Sequence, residues 1–432
     1  MASPERRLAL SVLRAIDNGR TLGDELARPA VDRLPARDRA FLHELVLGTL
    51  RHRGFLDHAL ASAVDRTLDR VEEGVLTALR LGAYQILKLR VPDHAAVSET
   101  VDVVRESRPQ AAGFTNAVLR RLVRQGAPAL PDPARDPLGW LTSEGSLPRW
   151  LAERWVAREG ADVAVRRARA LLEPAPLTYR LNPHRADAPA RIEEAGLEPR
   201  ALALEGAWEA TAGRPVDLAR DGVLYLQDLG SQVVARLAAV PGRVLDACAA
   251  PGGKSTLMAD LHPEARVAAL ERSPRRLRVM ARLVAQWGAA NVGCVAGDAL
   301  RPPFAAASCD AVLLDAPCSG LGTLARNPDI RWRATAADIA RHAEQQGRLI
   351  AAVADLVRPG GRLVYSACTL EPEETEGVVD AFLGGRPDFA SSALPDWAAR
   401  YADAGRLKVR PEEERADGFF AAVLVRDNGG PL

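Results

Sequence analysis

Apolar residues return to one helical face repeatedly over the first 128 positions. Leu8, Val12, Leu13 and Ile16 share such a face, as do Phe41, Leu42, Leu45 and Val46, and then Val75, Leu76, Leu79, Ile86 and Leu87. A spacing of about 3.6 persists through Val101, Val104, Ala117, Val118 and Leu122 and predicts an all-α bundle over residues 1–128. Pro92-Asp93 ahead of Ala95-Ala96-Val97 marks a helix start within it. Gly126, Pro128, Pro131, Pro133 and Pro137 then break the pattern as a linker. Helical spacing resumes at Pro148-Arg149-Trp150-Leu151 and runs towards Leu172. Residues 177–182 and 222–227 alternate like strands, so 140–225 are expected to form a small α+β linker module. A helix is expected next, over 232–237.

From about residue 228 the pattern becomes strand–helix alternation. Short apolar runs at 243–248, 267–271, 292–296, 311–316 and 362–367 have the Val-rich character of buried parallel strands, and a last strand is expected at 419–425. Such alternation predicts a doubly wound α/β sheet over 226–428, with ligands at the C-terminal ends of its strands.

Composition narrows this picture only slightly. The 432 residues are 47% apolar and 26% charged with a net charge of +1, so no overall basic field points to nucleic acid. The cations are nearly all Arg, with lysine only at 88, 254 and 408, as a GC-rich genome would produce. Residues 1–128 carry 20 basic against 16 acidic side chains. Arg51 and Arg53, and Arg120, Arg121 and Arg124, form clusters that read either as a phosphate grip or as an ordinary solvated face. Five cysteines, an N-terminus without an apolar signal core and no long apolar run suit reduced thiols in a cytoplasmic, non-membrane protein. No Cys-x-x-Cys pair supports a zinc site, and no metal is expected.

The chemistry gathers where strands end. After the first strand comes Asp246-Ala247-Cys248-Ala249-Ala250-Pro251-Gly252-Gly253-Lys254-Ser255, a small-residue turn opening a helix. A P-loop would need glycine six positions before Lys254, where Cys248 stands. Glu271 ends the second strand and Asp298 follows the third. Acidic groups there suit ribose hydroxyls and an adenine amine, so an adenosine ligand without phosphates, such as S-adenosylmethionine, is expected. The fourth strand runs into Asp315-Ala316-Pro317-Cys318 and the fifth into Ser366-Ala367-Cys368-Thr369. Either cysteine alone reads as a small buried hydrophobe, and the pair without Cys-x-x-Cys is weak evidence for a redox disulfide. Two thiols beside a methyl-donor turn fit a further chemistry. Carbon 5 of a pyrimidine becomes nucleophilic once a thiolate adds to carbon 6. Asp315 is placed to hydrogen-bond the base.

Residues 245–254 resemble motif I of the RNA 5-methylcytosine methyltransferases. Asp315-Ala316-Pro317-Cys318-Ser319-Gly320 resembles their motif IV, and Tyr365-Ser366-Ala367-Cys368-Thr369 their motif VI. Asn327-Pro328-Asp329-Ile330-Arg331-Trp332 and Asp417-Gly418-Phe419-Phe420 are similar to further family segments. Upstream, Gly48-Thr49-Leu50-Arg51-His52-Arg53, residues 94–99 and residues 113–121 resemble a NusB-like RNA-binding domain. The combination is similar to that of bacterial 16S rRNA cytosine-C5 methyltransferases.

The resemblance implies a multidomain chain: a NusB-like bundle, a small α+β module and a Rossmann-like methyltransferase domain. It implies that Cys368 is the nucleophile, that Cys318 serves product release, and that Asp315 is catalytic. It places S-adenosylmethionine against Cys248, Ala249, Ala250, Pro251, Gly252, Gly253, Lys254, Glu271, Asp298 and Asp315. It assigns RNA contacts to Arg51, Arg53, Arg120, Arg121 and Arg331, with small-subunit rRNA as the partner of a monomeric cytoplasmic enzyme. Lys254 is read as a partner for the methionine carboxylate or a phosphate, or as a plain helix-start residue. Two positions depart from the family pattern, which more often has Asp at Glu271 and Thr-Cys-Ser at Ala367-Cys368-Thr369. A tRNA cytosine methyltransferase and a non-catalytic RNA-binding factor remain as alternatives.

Overall fold

The computed structural model describes residues 3–428, which divide into two compact units. One comprises the chain up to Pro174 together with Leu324–Ala334, and the other comprises Ala175–Thr323 and the chain from Thr335 onwards.

The first unit is helical. Its main helices are Pro4–Asp17, Ala36–Arg51, Arg53–Ala63, Glu73–Leu87, Asp93–Ser107 and Ala112–Gln125, followed by Pro137–Thr142, Arg149–Glu159 and Ala161–Leu172. Helix Glu73–Leu87 is apolar almost all round because it feeds two cores. Ala78 and Leu81 join Leu10, Leu13, Leu42, Leu45 and Val104 on one side, whereas Leu76, Leu79 and Ala83 join Leu56, Leu60, Leu119 and Leu122 on the other. Close approach is built in at Gly48, where a Cβ would stand 1.9 Å from the Tyr84 ring.

This unit differs from expectation in its extent. The helices over 149–172 belong to it rather than to an α+β module beginning at 140. Ser146 Oγ accepts from the Gly54 amide at 2.9 Å, which ties their approach to helix Arg53–Ala63. The amphipathic pattern foretold these helices but not the surface they cover.

Segment Leu324–Ala334 is threaded into the same unit. Arg331 is 0% exposed and donates to the carbonyls of Leu171 (2.7 Å), Arg51 (3.2 Å), Ser146 (3.3 Å) and Gly145 (3.5 Å). Trp332 Nε1 donates to the Leu50 carbonyl at 2.8 Å, and Arg51 Nη2 donates to the Ala325 carbonyl at 3.0 Å.

The second unit holds two sheets. Strands β1 (Leu177–Leu181), β2 (Glu198–Ala201), β3 (Trp208–Ala212) and β4 (Leu224–Leu226) form an antiparallel sheet in the order β2-β3-β1-β4. The large sheet contains β5 (Arg243–Asp246), β6 (Arg266–Glu271), β7 (Val292–Ala296), β8 (Cys309–Asp315), β9 (Val357–Ala367), β10 (Phe389–Ser391), β11 (Ala402–Asp403), β12 (Arg406–Val409) and β13 (Phe419–Arg426). Its order is β11-β12-β13-β9-β8-β5-β6-β7, with β10 pairing β13. Strands β5 to β9 pair in parallel, and β13 runs antiparallel beside β9.

Successive residues of these strands enter opposite cores, as a two-residue side-chain period requires. Val244, Ala311, Leu313 and Val364 face helices Leu229–Ala238 and Gly253–Leu261. Leu245, Val312, Leu314 and Leu363 face helices Ala336–Ala354 and Glu376–Gly385. Strand β5 lies between β6 and β8, so the direction of winding reverses there and a crevice opens beyond the strand ends.

Candidate active site

Strand β5 delivers Asp246 to the crevice. Asp246 is buried and accepts from Ser255 Oγ at 2.7 Å. Burial, with the nearby Asp315 charge adding to it, raises its carboxyl to about 6. The turn after it is held by main-chain bonds: the Ala249 amide to the Leu270 carbonyl (3.0 Å) and the Gly252 amide to the Ala249 carbonyl (2.7 Å). The Ala250–Pro251 peptide is cis. Gly252 caps helix Gly253–Leu261 at φ 103°, a conformation that L side chains rarely adopt. Arg276 Nη2 donates to the Ala250 carbonyl at 2.8 Å, and Arg276 Nη1 lies 3.4 Å from Glu271 Oε2.

Lys254 projects from the first turn of that helix to Asp315 at the end of β8, with Nζ 2.7 Å from Oδ2. Burial works against the ammonium, but the Asp315 charge and hydrogen bond outweigh it and its pKa lies above the ordinary value. This internal ion pair with Asp315 is a role that none of the readings of Lys254 from sequence included. Ser366 Oγ donates to the other Asp315 oxygen at 2.8 Å, which ties the ends of β8 and β9 together.

Just beyond those ends the two thiols meet, Cys318 Sγ and Cys368 Sγ being 3.0 Å apart. The hydrogen bond to Cys368 and burial push the Cys318 thiol well above its ordinary value. A buried carboxyl braces the Cys318 loop. Glu374 Oε1 accepts from the Ser319 amide (2.8 Å) and from Gln346 Nε2 (3.1 Å), while Gln346 Nε2 also donates to the Pro317 carbonyl (2.9 Å). Burial raises the Glu374 carboxyl. Cys248 is no third nucleophile: burial and the neighbouring carboxylates push its thiol up to about 12.

Cys248, Glu271, Arg276, Gly297 and Asp298 line one cavity in this crevice. Glu271 accepts from the Ser273 amide at 2.7 Å, and Asp298 accepts from the Leu300 amide at 3.0 Å. The sequence-derived acidic positions are therefore brought together with the turn.

The arginines separate into two groups. Arg51 and Arg331 were expected to contact RNA, but both are buried and their guanidinium groups donate to backbone carbonyls. That expectation is corrected: a guanidinium enclosed among carbonyls cannot meet a phosphate, and sequence alone does not reveal enclosure. Arg53 pairs with Asp17 at 2.9 Å and lies over the Trp332 ring. Arg120 shares a groove with His94, Arg105 and Arg124 between helices Asp93–Ser107 and Ala112–Gln125. Arg121 pairs with the exposed Asp65.

Known proteins place this architecture. The 16S rRNA methyltransferase RsmB/F family model matches residues 237–425, and the NusB family model matches residues 3–124. A putative methyltransferase of Mycobacterium tuberculosis H37Rv is 37% identical, over 98% of this chain and 96% of its own length. A probable ribosomal RNA small subunit methyltransferase B of Bacillus subtilis is 32% identical, over 97% and 98%. The chain belongs to the RsmB/F methyltransferase family. The crystal structure of PH0851 shares the fold of this RsmB/F member, with a TM-score of 0.80 at 24% identity over 98% of this chain and 99% of that one. A methyltransferase homologue from Pyrococcus horikoshii is 26% identical over 67% of this chain and 99% of its own, with a TM-score of 0.56.

The cofactor of this RsmB/F chain is S-adenosylmethionine. The residues present fit it. Two carboxylates on one cavity, from Glu271 and Asp298, suit hydroxyl and amine donors and oppose a triphosphate. The longer Glu271 arm is accommodated by the Ser273 amide and Arg276. Reading the sequence missed Glu374, Gln346 and Arg180, all buried polar groups whose partners lie far along the chain. A signal existed only for Glu374, a carboxylate six positions after Cys368.

Proposed function

We propose that this RsmB/F methyltransferase acts on carbon 5 of a cytosine in 16S rRNA through a covalent bond between Cys368 and carbon 6. The observation that carries this reading is the pair of thiols 3.0 Å apart at the ends of two adjacent parallel strands, with Asp315 at the end of the same β8. Methyl transfer to nitrogen or oxygen has no use for such a pair.

Cys368 gives up its proton to solvent, its sulfur adds to carbon 6, and the carbon 5–carbon 6 π pair becomes available at carbon 5. S-adenosylmethionine supplies the methyl group, held by the turn from Cys248 to Lys254 with Glu271 and Asp298. Asp315, oriented by Lys254 and Ser366, accepts from the cytosine amine. In the release stage a base takes the carbon 5 proton, the freed pair restores the double bond, and the carbon 6–sulfur pair returns to Cys368. We assign Cys318 to this stage. Its raised pKa makes it a thiol at rest; once that proton has left to solvent, the Cys318 thiolate takes the carbon 5 proton and is a thiol again. RNA contacts are assigned to the exposed Arg120 and the half-buried Arg121, and the enzyme is taken to work as a cytoplasmic monomer.

The test is transfer of labelled methyl from S-adenosylmethionine to deproteinised small-subunit rRNA and, separately, to tRNA, with bisulfite sequencing of the product. Label at cytosine carbon 5 of the rRNA is expected, with none for Cys368→Ala. A Cys318→Ala enzyme is expected to accumulate a slow-migrating protein–RNA band on denaturing gels. Normal turnover by Cys368→Ala overturns the nucleophile, and label confined to tRNA overturns the substrate.

A further inference from the structure

Arg180 lies on β1 of the small sheet, outside every motif that carries the methyltransferase chemistry. It is 3% exposed. Its Nε donates to Gln227 Oε1 at 3.0 Å, and Nη1 reaches Asp260 Oδ2 at 2.5 Å. Nη2 reaches Thr256 Oγ1 at 2.6 Å and the Gly253 carbonyl at 3.3 Å. The guanidinium lies over the rings of Trp287 and Tyr225, 4.3 and 4.9 Å from their centroids. Trp287 Nε1 and His184 Nε2 meet Asp260 as well, each at 3.0 Å. Burial draws the Arg180 pKa down to about 10, so it remains a cation at neutral pH. A buried cation is costly to keep unless its donors are used; apart from the bond to Gln227, these go to Gly253 and Thr256 in the first turn of helix Gly253–Leu261 and to Asp260 in its last turn.

The direction of these bonds matters. A hydroxyl has one proton. Thr256 Oγ1 accepts from Arg180, so its own proton goes to a carbonyl of the turn: Gly252, at 2.9 Å, is nearer than Gly253, at 3.2 Å, and also accepts the Thr256 amide at 3.0 Å. Gly252 is the last residue of the cofactor turn and the cap of helix Gly253–Leu261. Its carbonyl shares a rigid peptide plane with the Gly253 amide. Fixing the oxygen therefore fixes the direction of the first free N–H of that helix, and the placement of Lys254 next to it.

We propose that Arg180 is a positioning residue for S-adenosylmethionine binding: through the Thr256 hydroxyl it orients the Gly252–Gly253 peptide on which the cofactor turn closes. Arg180 touches no reacting atom. The proposal holds whether the acceptor is a cytosine or another base, because it concerns the cofactor alone.

Thr256→Val removes the relay at nearly constant shape and leaves the Arg180–Asp260 pair in place, whereas Thr256→Ser restores the hydroxyl. Calorimetric titration of the full-length protein with S-adenosylmethionine is expected to show about tenfold weaker binding for Thr256→Val and a value within about twofold of wild type for Thr256→Ser. RNA affinity is expected to stay unchanged in both. Hydrogen exchange of the cofactor-free protein is expected to quicken at the amides of residues 252–256 in Thr256→Val and not in Thr256→Ser. Arg180→Lys, whose compact ammonium does not reproduce the fork that holds Asp260 and Thr256 on two separate nitrogens, is expected to behave like Thr256→Val. A folded Thr256→Val protein with wild-type cofactor affinity overturns the proposal. So does a loss of protection spread evenly over Ala175–Thr323, which marks general destabilisation. If Arg180→Lys fails to fold, the Thr256 pair decides.

Discussion

At the scale of single residues, the crevice keeps several acidic and thiol groups where water would not hold them in the same state. Asp246 is the clearest example. Its folded carboxyl is raised to about 6 by burial, so folding favours the protonated form. That preference is fully present below the ordinary carboxylate value near 4 and is lost as pH rises through about 6. Asp246→Asn retains an oxygen acceptor for Ser255 and carries no charge. Relative to that variant, the wild-type protein is expected to lose up to about 3 kcal/mol of unfolding free energy between about pH 4 and pH 7. Denaturant titrations of both proteins across that interval check it, and a constant difference would refute it. Residues of this kind were partly legible beforehand. Asp246, Asp315, Cys318 and Cys368 announce themselves by standing at the ends of apolar runs. Arg51, Arg331 and Arg180 do not, because a guanidinium is written the same way in sequence whether it faces water or a ring of carbonyls.

At the scale of elements, the Pro317–Gly320 loop depends on a partner from the far side of β9. The Ser319 amide and, through Gln346, the Pro317 carbonyl both rely on Glu374. Glu374→Ala leaves the Ser319 amide without its acceptor, at a cost of about 1–3 kcal/mol. The variant is expected to lose more in kcat than in KM for either substrate, with faster hydrogen exchange confined to residues 316–320. Equal losses in kcat for Glu374→Ala and Glu374→Gln would show that the brace is not the cause, because Gln retains an acceptor for Ser319. Most elements were readable from spacing: β5, β6, β8, β9 and β13 stand where apolar runs predict them, because both faces of the sheet are covered there, whereas β7 stands where predicted but at the sheet edge, with none of its residues buried. What spacing did not supply is partnership. The antiparallel edge formed by β10 to β13 and the allegiance of helices Arg149–Glu159 and Ala161–Leu172 are set by surfaces distant in sequence.

At the scale of the whole molecule, the first unit is completed by chain that belongs in sequence to the methyltransferase region. A chain starting at Ala175 lacks the carbonyls of Arg51, Gly145, Ser146 and Leu171 that enclose Arg331. Trypsin is expected to cut such a chain after Arg331 much faster than the full-length protein, as read by mass spectrometry of early fragments. Equal rates would show that this enclosure does not protect the site. No helix among the described residues is long and apolar enough to cross a membrane. The same threading carries a consequence for synthesis. The helices up to Leu172 leave the ribosome well before Arg331, about 150 residues ahead of the segment that fills them. At bacterial elongation rates that interval is roughly 10–30 s. Throughout it, the nascent domain waits with those carbonyls open, and its maturation is timed by translation of the very region that holds Cys318.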